Sequence, residues 1–276
     1  MKKLITRTLT GIVFVTLIVS SLFLNPIFFN ILFLVITLLA TWEYLQIAEK
    51  SNINPQFTIP FLLNATFFTA FQLMYYSIPI FLYLLLFALI LIIIIPVVEL
   101  YRNKENPLIN IATSLFPLIW IAFPFSIMGM WTHFFESAST VLALFIIIWA
   151  YDTFAYCAGS LFGRHRLWER ISPKKSWEGF IISLILTAAG SIVFYFIPFF
   201  QNYIFYTPWH WIGFAIVIII TSTFGDLTES LFKRKSGIKD SGNILPGHGG
   251  FLDRFDSFFF AAPAAFVYWY LIYLLS

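Results

Sequence analysis

Apolar stretches long enough to cross a bilayer follow one another along almost the whole chain, and few folds tolerate that. A membrane-spanning helix needs roughly 17–25 mostly apolar residues, and such stretches lie at about 8–24, 26–47, 57–77, 78–100, 107–131, 139–160, 177–198, 209–231 and 251–275. Only 11% of the 276 residues are charged and 60% are hydrophobic, whereas soluble domains carry about 25% charged residues. So little charge cannot coat a water-soluble fold, which excludes a cytosolic or secreted enzyme, a nucleic-acid binder and a disordered protein. Segments such as 81–95 are apolar on every side instead of alternating, so the spans are helices and not barrel strands. The expected fold is all-α, a polytopic membrane protein of about nine transmembrane helices. Pro26, Pro79 and Pro107 fall where one span hands over to the next. Within 107–135, Pro117, Pro124 and Gly129 leave open one helix or two.

Positive charge gives the orientation. With the N-terminus inside, the inner segments and the start of the last span hold all 16 Lys and Arg residues, and the outer loops hold none. Basic residues are retained on the cytoplasmic side of a membrane, so the N-terminus is expected in the cytoplasm and the C-terminus outside. The first span has the basic flank of a signal peptide but no A-x-A cleavage pattern, and it is read as retained. Residues 1–136 are expected to be N-terminal hydrophobic transmembrane helices, and 137–276 a C-terminal catalytic region with its site on the cytoplasmic face. The single Cys157 rules out an internal disulfide, and four scattered His make no zinc cluster.

Ten of the 16 basic residues lie in 164–175 and 233–254, so chemistry is expected there. Asp253 and Asp256 are three apart at the start of the last helix, which would put both carboxylates on one face. Asp226 lies near the inner end of the eighth span. Carboxylates at a polar inner surface suit a hard cation, and Mg²⁺ is usually held by one or two of them together with substrate phosphates. The run Gly247-His248-Gly249-Gly250 precedes a helix N-terminus, where unpaired backbone N–H groups attract anions. Lys233, Arg234, Lys239 and Arg254 supply cations for a polyphosphate. A Lys/Arg run alone is a topology anchor and a glycine run alone a turn; their convergence with paired acids points to a metal–nucleotide site. His248 is either a phosphate donor or a residue that holds the loop. Asp152, inside the sixth span, is an intramembrane acid and by that fact a functional candidate. Lys174 and Lys175 precede the seventh span, with Ser176 as its N-cap and Glu178 in its first turn. They face either a phosphate ligand or anionic headgroups.

At these residues the sequence resembles the phosphatidate cytidylyltransferase (CDP-diacylglycerol synthase) family. The resemblance is carried by Ser230-Leu-Phe-Lys233-Arg234, Lys239-Asp240, Pro246-Gly-His248-Gly249-Gly250 and Asp253-Arg254-Phe-Asp256, and by Ser172-Pro-Lys-Lys-Ser-Trp-Glu-Gly179. It covers about 150–257. Phe154 stands where the family often has Gly after Asp-Thr. The resemblance implies the reaction of CTP with phosphatidate to give CDP-diacylglycerol and pyrophosphate, dependent on Mg²⁺. It implies a metal on Asp226, Asp253 and Asp256, with Asp152 as a further ligand or partner and room for a second cation. Lys174, Lys175, Lys233, Arg234, Lys239 and Arg254 would share the CTP triphosphate and the lipid phosphate, and the 247–250 turn would supply backbone donors. The implied partners are CTP, phosphatidate and membrane lipids, with a homodimer as a further candidate and no nucleic acid. Two other readings stand beside it: a CTP-dependent polyprenol kinase, whose alcohol nucleophile needs a base and attacks the γ phosphorus, and an ion-coupled transporter. A transporter predicts acids spread through the bilayer depth, whereas these gather at one face.

Overall fold

The computed structural model describes residues 2–134, 137–201, 204–242, 244, 245, 247 and 249–275, with backbone alone for 2–7 and 137. Each of the nine apolar stretches is helical in these residues. The helices are α1 (Lys2–Leu24), α2 (Pro26–Lys50), α3 (Thr58–Leu73), α4 (Ile78–Arg102), α5 (Pro107–Pro117), α6 (Phe123–Trp131), α7 (Ser137–Phe162), α8 (Trp177–Gly190), α9 (Val193–Phe196), α10 (Pro208–Lys235), α11 (Leu252–Phe255) and α12 (Phe258–Leu275). Among the described residues seven runs are long and apolar enough to cross a membrane; the shorter apolar segments are Thr8–Leu24 and Thr58–Leu73. The chain is a multi-pass membrane protein.

Prolines set the helix starts as expected. Pro26 opens α2 behind Asn25, whose side chain accepts the Ile27 N–H at 2.9 Å. The stretch from Pro107 to Trp131 is one span. A π-helical turn at Leu118–Ala122 joins α5 to α6, with the Phe123 N–H reaching back to the Leu118 carbonyl. Widening the turn there accommodates Pro117 and Pro124, which lack the N–H groups of a regular ladder. Among the described residues a short antiparallel hairpin, β1 (Arg166–Trp168) and β2 (Ser172–Ser176), lies between α7 and α8.

The last span differs from expectation. It is helical over α11, breaks at Asp256 and Ser257, and resumes as α12. Asp256 Oδ1 accepts the Ser257 N–H at 2.6 Å, so a side chain takes a donor that a continuous helix would need for its own ladder. Asp253 and Asp256 therefore do not share one face of one helix.

Two compact units emerge: Met1–His133 with Phe232–Phe255, and Phe134–Leu231 with Asp256–Ser276. In the first, the residues after 232 are built into the N-terminal helices by aromatic packing. Phe255 lies 5.7 Å from Phe33 and 5.1 Å from Phe125 between ring centres, and Phe232 lies 4.8 Å from Trp120 and 6.0 Å from Tyr44. Phe33, Phe125 and Phe255 are fully buried, so part of the phenylalanine content serves to dock α11 and the end of α10. In the second unit α7 packs along α8, the Tyr151 hydroxyl meets Thr223 Oγ1 of α10 at 2.7 Å, and Phe145 packs on Phe258 at 4.6 Å.

Candidate active site

In the unit of 134–231 and 256–276, the hairpin and α10 bring Lys175 to Asp226. Alternation along β2 leaves Lys174 exposed and turns Lys175 inward. Ser176 then caps α8 by accepting the Gly179 N–H at 3.2 Å. Glu178, in the first turn of α8, fixes the hairpin entrance by accepting the Arg164 N–H at 3.0 Å and pairing with the His165 ring. So held, the Lys175 ammonium forms an ion pair with Asp226 Oδ2, each side chain about a quarter exposed. Asp226 Oδ1 accepts from Ser230 Oγ at 3.2 Å, one turn on. Burial works against the Lys175 charge, but the Asp226 carboxylate, with Asp256 further off, outweighs it and holds the ammonium above its ordinary pKa. The charges of Lys175, Asp152 and Asp226 all act on the Tyr151 hydroxyl. Asp152, itself exposed on α7, thus belongs to the same electrostatic neighbourhood.

Gly225 explains how Asp256 approaches α10. A Cβ at Gly225 would lie 2.4 Å from the Asp256 carbonyl oxygen and 3.3 Å from Ser257 Cα. No side chain fits where the helix backbone meets the break after α11.

In the unit of 1–133 and 232–255, α10 ends in a Schellman motif: Gly237, at φ +66°, donates to the Arg234 carbonyl at 3.2 Å and Ile238 to that of Lys233 at 3.0 Å. The chain then turns back so that Lys233 Nζ meets Asp253 Oδ1 at 2.8 Å, with both side chains largely buried. Asp253 Oδ2 accepts from the Ser241 N–H at 2.8 Å, Ser241 Oγ at 2.9 Å and the Gly250 N–H at 2.9 Å. A second carboxylate lies in the same turn. Glu43 of α2, 1% exposed, accepts the Phe251 N–H at 2.9 Å, the Leu252 N–H at 2.9 Å and Ser241 Oγ at 3.1 Å. Arg234, Lys239 and Arg254 are exposed.

These contacts change the meaning of the glycines. The Gly250, Phe251 and Leu252 N–H groups, which a bare helix start would offer to a phosphate, already donate to Asp253 and Glu43. A Cβ at Gly249 (φ +85°) would come 2.6 Å from Asp253 Oδ2, and one at Gly250 2.3 Å from Glu43 Oε2. The glycines make room for protein carboxylates, and Gly250 is not a spare anion donor. His248, with Pro246, lies outside the described residues.

Of the expected residues, Lys175, Asp226, Asp256 and Asp152 fall in one unit, and Lys233, Asp253, Gly249 and Gly250 in the other. Among the described residues no three His, Cys, Asp or Glu side chains gather so as to hold a metal by themselves. Asp226 with Asp256 still offers the one or two hard oxygen donors that Mg²⁺ needs when phosphates and water complete its shell. Glu43 is the residue that sequence reasoning missed. It is an acid inside the apolar span 26–47, and such an acid is a functional candidate for that reason alone.

Comparison with known proteins gives the family. The phosphatidate cytidylyltransferase of Haemophilus influenzae is 34% identical over 295 residues, covering 97% of this chain and 99% of that protein. Proteins of the same description from Staphylococcus aureus (strain COL) and Staphylococcus haemolyticus are 46% identical over 132 residues and 49% over 123. Those two matches take in 46% and 45% of this chain, so the aligned stretch spans about half the length of the staphylococcal relatives, 48% and 46%. The profile of the cytidylyltransferase family matches residues 5–272, nearly the whole chain, and the chain belongs to that family.

Proposed function

We propose that the protein is a phosphatidate cytidylyltransferase, joining the CMP portion of CTP to the phosphate of phosphatidate and releasing pyrophosphate. The observation that carries this reading is the end-to-end likeness to the Haemophilus influenzae enzyme. A phosphate monoester has a second pKa near 6, so the lipid phosphate is already a competent nucleophile at neutral pH. The protein's task is then positioning and charge neutralisation rather than proton removal. The kinase reading needs a base for an alcohol, and neither it nor the transporter reading is favoured by the family.

In this reading Asp226 and Asp256 hold Mg²⁺, which when bound supplies Lewis-acid polarisation of a phosphoryl oxygen. Asp152 is the residue for a second cation or an outer contact. Lys175, held cationic by Asp226, balances charge on the lipid phosphate, and the exposed Lys174, Arg234, Lys239 and Arg254 screen the triphosphate. Asp253, which the resemblance also gives to the metal, accepts from Lys233, from two backbone N–H groups and from the Ser241 hydroxyl that it shares with Glu43, and with Lys233 it shapes the turn that carries Gly249 and Gly250. The sorting of all 16 basic residues supports a cytoplasmic N-terminus and a site on the cytoplasmic face of the cell membrane.

The test uses purified protein in lipid–detergent micelles with phosphatidate, Mg²⁺ and CTP labelled at the α phosphorus. Label should pass into CDP-diacylglycerol, and a chelator should abolish the transfer. Label that stays in CTP, or appears in CDP, refutes the assignment.

A further inference from the structure

We infer that Glu43 is a positioning residue for the glycine turn, acting on nucleotide binding from the second helix of the chain; the inference rests on the cytidylyltransferase reading. A carboxylate buried in a membrane helix is costly unless donors surround it. Glu43 has two of its own and a third that it shares, all from the segment 241–252, more than 190 positions away in sequence. Two are the Phe251 and Leu252 N–H groups, which open the last span and have no partner within a helix. The third is the Ser241 hydroxyl, which also lies 2.9 Å from Asp253 Oδ2. One hydroxyl has one proton, so Glu43 and Asp253 grip the turn through a shared donor and fix its two sides relative to each other.

The surrounding residues are shaped to this carboxylate. A Cβ at Gly242 would come 2.7 Å from Glu43 Oε1, and one at Gly250 would come 2.2 Å from Ser241 Oγ as well as 2.3 Å from Glu43 Oε2. Glu43 acts through the residues that it holds. Its effect reaches the reaction through the backbone of 249–252 and through Ser241 and Asp253. Lys239 and Arg254, proposed above to screen the triphosphate, flank this turn in the sequence, so a turn released from Glu43 must be ordered again each time CTP binds, which weakens binding without changing the chemical step.

The experiment is Glu43→Gln in the full-length protein in micelles, read in two ways. Gln keeps the shape but turns an NH₂ toward one of two backbone donors, so one of the N–H groups loses its acceptor. Hydrogen exchange of the 241–252 peptide should quicken about tenfold, and KM for CTP should rise by about the same factor, as for loss of one hydrogen bond to a charged acceptor. KM for phosphatidate and kcat should hold. Gly242→Ala, which keeps the charge but pushes the carboxylate aside, should reproduce both effects and protects the test against a Gln variant that fails to fold. Unchanged exchange overturns the inference; so does faster exchange with an unchanged KM for CTP, or a parallel rise in both KM values. A wild-type protein inert toward CTP and phosphatidate would overturn the functional reading, while the exchange measurement would still decide whether Glu43 holds the turn.

Discussion

Lys233→Met should loosen the turn by a calculable amount. The Nζ–Oδ1 separation of 2.8 Å, with side-chain exposures of 14% for Lys233 and 6% for Asp253, corresponds to a gross attraction of about 6 kcal/mol at an effective dielectric near 20. Most of that is offset by dehydration of the two charges. Stripping the partner from a buried ion typically costs 3–5 kcal/mol. Asp253 keeps the two Ser241 donors and the Gly250 N–H, so the expected loss lies lower, at about 2–3 kcal/mol. Met retains the apolar stem, which confines the change to the charge. The assay is reversible SDS unfolding in mixed micelles of Lys233→Met, Asp253→Asn and the double variant. Removing both charges should cost less than the two single losses added together, with a coupling of about 1.5 kcal/mol or more. Additivity within about 0.5 kcal/mol would show that the two side chains do not depend on each other, and the account of the turn would fall.

Two further outcomes concern the other unit. Asp226→Asn should lower kcat/KM by roughly 100-fold or more and shift the Mg²⁺ dependence to higher concentration; an unaltered Mg²⁺ titration would remove Asp226 from metal binding. Because Asp226 holds the Lys175 ammonium above its ordinary 10.5, the lysine is protonated in both folded and unfolded chains below that value. Its pairing contributes fully there and is lost only as pH rises through the higher folded value. The pH–rate profile of the wild type should accordingly show no lysine ionisation between about pH 7 and pH 10, and a basic limb in that interval that disappears in Lys175→Arg would contradict the pairing.

Much of this protein is a one-dimensional property of its chain. A span must be apolar over its own length because lipid offers no hydrogen bonds, so the helices, their proline starts and the Ser176 cap could be read residue by residue. The basic residues sort by the same local rule. Asp226, Asp256 and Lys175 stood out as candidates too, since a charge is conspicuous in so apolar a sequence; that Lys175 pairs with Asp226 did not.

Pairing is not local, and there the tertiary structure decided. A 3.6-residue period placed Asp253 and Asp256 on one face, but the Asp256 side chain captures the Ser257 N–H and ends that helix. The glycine run read as a cradle for phosphate, yet the Gly250 N–H goes to Asp253 and the next two, of Phe251 and Leu252, go to Glu43, 208 and 209 positions away. Sequence spacing cannot show which acceptor satisfies a buried donor. It determined that the chain crosses the membrane many times and where its charges cluster; the folded chain alone determined which carboxylates hold the turn, because a buried hydrogen bond is made with whatever group packing brings within 3 Å.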